Sequence, residues 1–222
     1  PGFSFHDNFE TFKDILTGYG WKLCQVQMNL MDEFTQATME GVRLAGEMGI
    51  GVVAMEPLRG GSLAKEPPEN VRAVYDAFPV RRTPVEWAFR YLYDRPEITV
   101  TISGVSTMEQ LDDNIRIFQD AQAGVMTPEE HELMRRVRAA YESRVKIKCT
   151  GCGYCQPCPQ GVKIPDIFRP FDEHRMYDTM DHFRSHYARL VSQSAGADQC
   201  VDCGLCEEAC PQHIEIRQFL RE

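Results

Sequence analysis

The chain has 222 residues, 43% of them hydrophobic and 26% charged, the balance of an ordinary globular protein with room for one large domain or two modest ones. Its formal net charge of −9 argues against a nucleic-acid-binding face, which would be basic. No apolar run is long enough to span a bilayer as a helix, and no signal peptide is recognisable.

Strand and helix patterns alternate through about residue 145. Gly2–Phe5 reads as a short strand, and Asp7 is placed to cap a helix burying Phe9, Phe12, Ile15 and Leu16. Leu23–Met28 is the next strand, followed by a helix from about Thr35 to Met48 that ends at Gly49. Ile50–Met55 has the continuous apolar character of a strand buried on both faces. A loop bearing Gly60 and Gly61 leads to a helix near Glu69–Phe78, and Thr83–Pro84 opens another through Val85, Trp87, Tyr91 and Leu92. Ile98–Ile102 is the fourth strand. Thr107 with Gln110, and Thr127 with Glu130, read as capping boxes, the first ahead of Leu111, Ile115 and Phe118.

Such alternation predicts an α/β fold with a parallel sheet and right-handed crossovers. Four units are half of a (β/α)8 barrel, which needs about 250 residues for its eight. An open half-barrel would expose two strand edges and an apolar inner face. The expectation is a fragment, or a chain whose barrel is completed by a partner.

The cysteines carry the chemistry. All but one of the nine lie in two runs: Cys149, Cys152, Cys155 and Cys158 before Pro159, and Cys200, Cys203, Cys206 and Cys210 before Pro211. Three thiolates at three-residue spacing, with a fourth cysteine before a proline, form the bacterial two-cluster iron–sulfur pattern, in which the fourth cysteine of each run serves the other cluster. That assigns one [4Fe–4S] cluster to Cys149, Cys152, Cys155 and Cys210, and a second to Cys200, Cys203, Cys206 and Cys158. The first run is one residue short before Cys158. Structural zinc, which favours separated Cys-x2-Cys pairs, and disulfides, which need an oxidising compartment, are the competing readings. Cys24 stands alone in an apolar stretch and reads as an inert core residue. Between the runs, apolar residues from Pro165 to Leu190 recur at helical spacing, so one or two helices and a mainly α-helical cluster domain are expected. His182 and His186 share a face there, which reads as a solvated surface more readily than as a ligand pair.

Four segments in order resemble the C-terminal part of an aldo/keto reductase. Gly2-Phe3-Ser4-Phe5-His6 resembles the family's fifth-strand Gly-x-Ser-Asn-x segment, and Cys24-Gln25-Val26-Gln27-Met28-Asn29 its sixth-strand Gln-x-Glu-Tyr-Asn segment. Ala54-Met55-Glu56-Pro57-Leu58-Arg59-Gly60-Gly61 resembles the turn after its seventh strand. Ile102-Ser103-Gly104-Val105-Ser106, with Gln110 to Asn114, resembles its eighth-strand phosphate loop. The tail resembles that of the family's iron–sulfur subgroup. The resemblance implies residues 1–145 as a partial barrel equivalent to strands 5–8, and 146–222 as a 4Fe-4S ferredoxin-type domain.

It further implies hydride transfer between a nicotinamide and a carbonyl or alcohol, with NADP(H) or NAD(H) bound in the complete protein near Ser4, Gln25, Leu58, Gly104 and Asn114. No catalytic residue is assigned to this chain, because the family's Asp–Tyr–Lys–His tetrad belongs to the first four strands. Phe5 and Met55 stand where the family has asparagine and a nicotinamide-stacking tyrosine, and Gly104 and Gln110 where it grips the 2′-phosphate. The expected partners are the missing N-terminal half-barrel, in the same chain or another, and a redox partner protein or flavoprotein, with no nucleic acid and no membrane. A reducing cytoplasm is the expected compartment. The alternative is an electron-transfer module whose barrel part is only a docking scaffold.

Overall fold

β1 (Gly2–Phe5), β2 (Leu23–Gln27), β3 (Gly51–Met55) and β4 (Ile98–Thr101) pair in parallel and in chain order within one four-stranded sheet. The computed structural model describes residues 1–222 and divides into two units, Pro1–Arg138 and Ala139–Glu222. In the first unit β1 aligns Gly2 with Leu23, β2 aligns Leu23 with Gly51, and β4 joins β3 with a register shift at Val52/Val53. The crossovers carry α1 (Phe9–Thr17), α2 (Thr38–Glu47), α3 (Glu69–Asp76) and α4 (Pro84–Tyr93), and α5 (Met108–Phe118) follows β4. This is the α/β half-barrel that the strand–helix alternation predicts. α6 (Pro128–Glu142) contains the boundary between the units.

Local chemistry sets the helix starts. Thr83 accepts the Glu86 N–H at 3.1 Å ahead of Pro84. Thr127 and Glu130 form a reciprocal box, each side chain accepting the other's backbone N–H. At α1 the cap is Asn8 rather than Asp7, because Asn8 has the extended backbone that turns its oxygen onto the Thr11 N–H; Asp7 accepts the Asn8 N–H instead. At α5 the box reaches one residue further out than expected, with Gln110 accepting from the Ser106 N–H. α2 begins at Thr38 rather than near Thr35, since Gln36 and Thr38 adopt positive φ.

Cys24, Val26, Val52 and Ala54 are fully buried on one face of the sheet, while Gln25, Gln27 and Val53 between them are half-exposed. β3 is therefore fully covered on the Val52–Ala54 face, while on the other Gly51 and Val53 are half-exposed and Met55 is buried. On α5 the buried residue is Ile117, packed inward beside the Phe118–Phe89 ring pair, while Leu111 and Ile115 are exposed. Met108 on α5 and Val100 and Ile102 on the edge strand segment are exposed as well. Arg138 ties the unit together, donating to the Leu30 carbonyl and Tyr91 hydroxyl and pairing with Glu33.

The second unit contains α7 (Ile164–Met176), α8 (Met180–Ser192), α9 (Leu205–Glu208) and α10 (Ile216–Arg221), and no strand. Its core is Val162, Ile164, Ile167, Phe168, Leu190 and Ile216, joined by Cys210 and flanked by Cys149, Cys155, Cys158, Cys200 and Cys206. Six of the eight thiols thus sit against the apolar centre, while Cys152 and Cys203 are exposed. No helix is long and apolar enough to cross a membrane.

Candidate functional site

The first cysteine run is an irregular loop and the second leads into α9, and glycines serve backbone reversals in both. Gly151 and Gly153 hold φ of 72° and 80° inside the first run, and Gly204 holds 83° inside the second, a region that side-chain-bearing residues avoid. These turns fold each run back on itself, so thiols three residues apart face a common space.

Two cavities result. One, of only about 20 Å³, is lined by Cys149, Cys152, Cys155 and Cys210, with Phe168 and Ile164 as apolar walls. The other, of about 170 Å³, is lined by Cys158, Cys200, Cys203 and Cys206, with Leu220 and Arg217, and Cys155 reaches its edge. The last cysteine of each run therefore lies with the first three of the other. The one-residue shortening before Cys158 does not remove it from its cavity. No three thiol, imidazole or carboxylate side chains converge on a point that would suit a single ion.

Burial pushes the Cys149 thiol above its ordinary range, the Gly151 N–H opposes this, and the neighbouring Cys152, Cys210 and Asp172 add to it. Burial likewise raises Cys155, and it raises Cys206 to about 11, with Glu207 adding to the latter. These three thiols therefore hold their protons more tightly than a free cysteine does.

Two carboxylates brace these loops. Asp172, buried on α7, accepts the backbone N–H groups of Lys146 at 2.8 Å, Ile147 at 3.0 Å and Lys148 at 2.7 Å, gripping the chain just before Cys149. Lys148 is held there at a left-handed φ of 61°. Glu207 accepts the Arg217 N–H at 2.8 Å and its guanidinium at 2.7 and 2.9 Å, tying α9 to α10, while Arg217 also donates to the Asp202 carbonyl. Neither carboxylate was singled out in the sequence.

Of the histidines between the runs, His174 and His182 stack with ring centroids 6.1 Å apart, and no third metal-ligating side chain joins them. His174 Nδ1 lies 2.8 Å from the Thr179 hydroxyl, His186 Nε2 lies 2.9 Å from the Asp166 carbonyl, and His182 is exposed. Cys24 is fully buried under the sheet, and burial pushes its thiol up to about 11.

A separate cavity of about 840 Å³ opens at the C-terminal ends of the strands in the first unit. It is lined by Gln25, Leu58, Gly104 and Asn114 among the residues singled out in the sequence, and by Met55 and Gln110; Ser4 is exposed and lies outside the lining. Gln25 Nε2 approaches Met55 Sδ at 3.4 Å, and Asn114 donates to Ser103 Oγ at 2.9 Å. The charged lining residues are Glu56 and Asp113, with no lysine or arginine.

A family model described as Aldo/keto reductase family matches residues 2–138. The chain belongs to the aldo/keto reductase family. A second model, described as a 4Fe-4S dicluster domain, matches residues 148–215 and so spans both cysteine runs. Among solved structures, the chain is similar to the holo form of aldo-keto reductase AKR11C1 from Bacillus halodurans, at 19% identity and a TM-score of 0.50, covering 61% of this chain and 49% of that one. The apo form of the same reductase gives 18% identity and a TM-score of 0.47, covering 60% and 49%. The first likeness shows the fold, and this chain spans about half the length of that reductase. No curated protein matches the chain. In this member of the aldo/keto reductase family the strand-end cavity is lined by the side-chain amides of Gln25, Gln110 and Asn114 and by His6, and by no lysine or arginine.

Proposed function

We propose that the chain is part of an iron–sulfur oxidoreductase that holds two [4Fe–4S] clusters. Cys149, Cys152, Cys155 and Cys210 would hold one, and Cys158, Cys200, Cys203 and Cys206 the other. The observation that carries this reading is the crossed grouping of the thiols around two cavities, which supports a cube in each. Bound clusters supply one-electron transfer. The protein's own part is to strip the site of water with Ile164, Phe168 and Cys210, to present thiolates at turns set by glycine, and to hold the loops through Asp172 and Glu207.

In the complete protein, hydride transfer between a nicotinamide and a carbonyl or alcohol would take place at the strand-end cavity. The proton donor would come from an N-terminal half-barrel, in the same chain or a partner. Exposed Val100, Ile102, Met108, Leu111 and Ile115 on the last strand–helix unit support such a completing surface. A second reading, an electron-transfer module with the barrel part as docking scaffold, is favoured by the carboxylate-lined, cation-free cavity and by Met55. Isothermal titration with NADPH separates the two: micromolar affinity in the complete protein supports hydride chemistry, and none supports the scaffold.

The cluster reading is tested by Cys203→Ser. Bound iron should fall by about half, because one cube of two loses a ligand. Iron content equal to that of the unaltered chain would overturn the assignment.

A further inference from the structure

The second unit contains a third cavity, about 410 Å³, that no cysteine lines. Its walls are rings and aliphatic groups: Ile167, Phe168 and Phe171 from α7, Phe183 and Tyr187 from α8, and Phe219 from α10. The rings are fixed by their contacts with one another. Phe168 meets Phe219 edge-on at 6.2 Å, Phe171 meets Phe183 edge-on at 5.3 Å, and Phe183 stacks on Tyr187 at 5.9 Å. Charge is confined to the rim, where Lys146 pairs with Glu222 and Arg221 pairs with Asp202. Ring-lined walls, a volume in the range of small-ligand sites and a few polar groups at one end describe a pocket for a flat apolar molecule with an acceptor oxygen.

Its position narrows the class. Phe168 is also a wall of the cavity ringed by Cys149, Cys152, Cys155 and Cys210. Leu220 is also a wall of the cavity ringed by Cys158, Cys200, Cys203 and Cys206. A molecule in the third cavity is therefore one side chain away from each thiol set. We infer that this pocket binds a planar two-electron carrier of the quinone class, exchanging electrons with both cysteine sites; the electron-exchange half of this inference rests on the cluster reading above. A hydroquinone bound there gives up two electrons and two protons and becomes the quinone. Each of the two cysteine sites receives one electron, and the protons leave to water at the charged rim. Quinone reduction runs the same balance backwards. The pairing resolves a mismatch in electron number, since a two-electron donor placed between two one-electron acceptors leaves no electron over.

The test uses the full chain, loaded anaerobically with iron and sulfide, and menadione as the probe. Equilibrium dialysis should show saturable binding of a single equivalent, with Kd on the order of 10 μM for so small a ligand. Ala197 lines the pocket and carries little bulk, so Ala197→Phe fills the space and should weaken binding by about tenfold or more at unchanged iron content. Lys146→Met removes a rim donor, should weaken binding severalfold, and decides the matter if Ala197→Phe does not fold. Reoxidation of the reduced chain by menadione should saturate at the dialysis Kd and consume one quinone for every two electrons held. Absence of saturable binding, or binding indifferent to both substitutions, overturns the pocket. Saturable binding with iron short of two clusters would leave the pocket standing and overturn the cluster reading instead.

Discussion

Replacing Asp172 should disable the first cysteine run without touching a cysteine. The side chain is buried at 7% exposure, and its two oxygens accept three consecutive backbone N–H groups, those of Lys146, Ile147 and Lys148. In Asp172→Ala those three donors lose their partner, that of Ile147 in the interior and those of Lys146 and Lys148 nearer the surface. At roughly 1–3 kcal/mol for each stranded donor, and toward the low end for the two exposed residues, the cost is on the order of 3–5 kcal/mol, a large part of a small unit's stability. Release of the left-handed Lys148 backbone returns about 1 kcal/mol of this. Asp172→Asn is the sharper variant, because it keeps the shape. Its oxygen can still serve Lys146 and Ile147, while its amide faces the Lys148 N–H donor to donor, so the loss should be about 2–3 kcal/mol. Urea denaturation of the apo chain, followed by ellipticity, measures the change; iron and sulfide analysis after reconstitution measures its consequence, and both should fall in the order Asp, Asn, Ala. An Asp172→Asn chain with the original midpoint and the original iron content would refute the claim that this carboxylate sets the loop carrying Cys149.

Other outcomes follow from particular residues. Burial raises the Cys24 thiol from about 9 to about 11, so the folded first unit holds that proton more tightly than the unfolded chain does. Stability should be intact below pH 9 and decline by about 2–3 kcal/mol as pH rises through 11, and Cys24→Ala should remove that part of the slope in denaturation followed by Trp21 and Trp87 fluorescence. Cys24→Ala should also leave iron content unchanged. Burial works to raise Glu130, but hydrogen bonds from Arg90 and Thr127 and the charges of Arg90 and Arg82 hold it below the usual carboxylate value. Its contribution is present above about pH 4.5 and lost as pH falls through the depressed value; Glu130→Gln should cost about 3 kcal/mol at pH 7 and flatten the acid limb of the stability curve. Cys210→Ser should damage the site built from the first run and spare the one built from Cys200, Cys203 and Cys206, a pattern read from the spectra of the remaining cluster.

The parts legible in the sequence are those fixed by local pattern. Strand–helix alternation marked the four parallel strands, Thr83-Pro84 and Thr127–Glu130 announced their helices, and the Cys-x2-Cys repeats marked the thiol loops. Errors arose where burial depends on what lies across space. β3 reads as apolar throughout, yet only the face with Val52 and Ala54 is fully covered, and Gly51 and Val53 on the other are half-exposed. Periodicity alone could not tell which side of α5 turns inward, so Ile117 replaced Leu111 and Ile115 as its buried anchor. Asp172 was invisible because its partners lie 24 to 26 residues away along the chain. The ring-lined cavity was hidden for the same reason, since Phe168, Phe183 and Phe219 look like ordinary core residues until three helices bring them around one space.

The central claim is best tested by counting metal and sulfide in the anaerobically reconstituted chain, with Mössbauer spectra of the same sample. The account predicts about eight irons and eight acid-labile sulfides per chain, in two cubes of four. One or two zinc ions without sulfide, or a single cube, would contradict it.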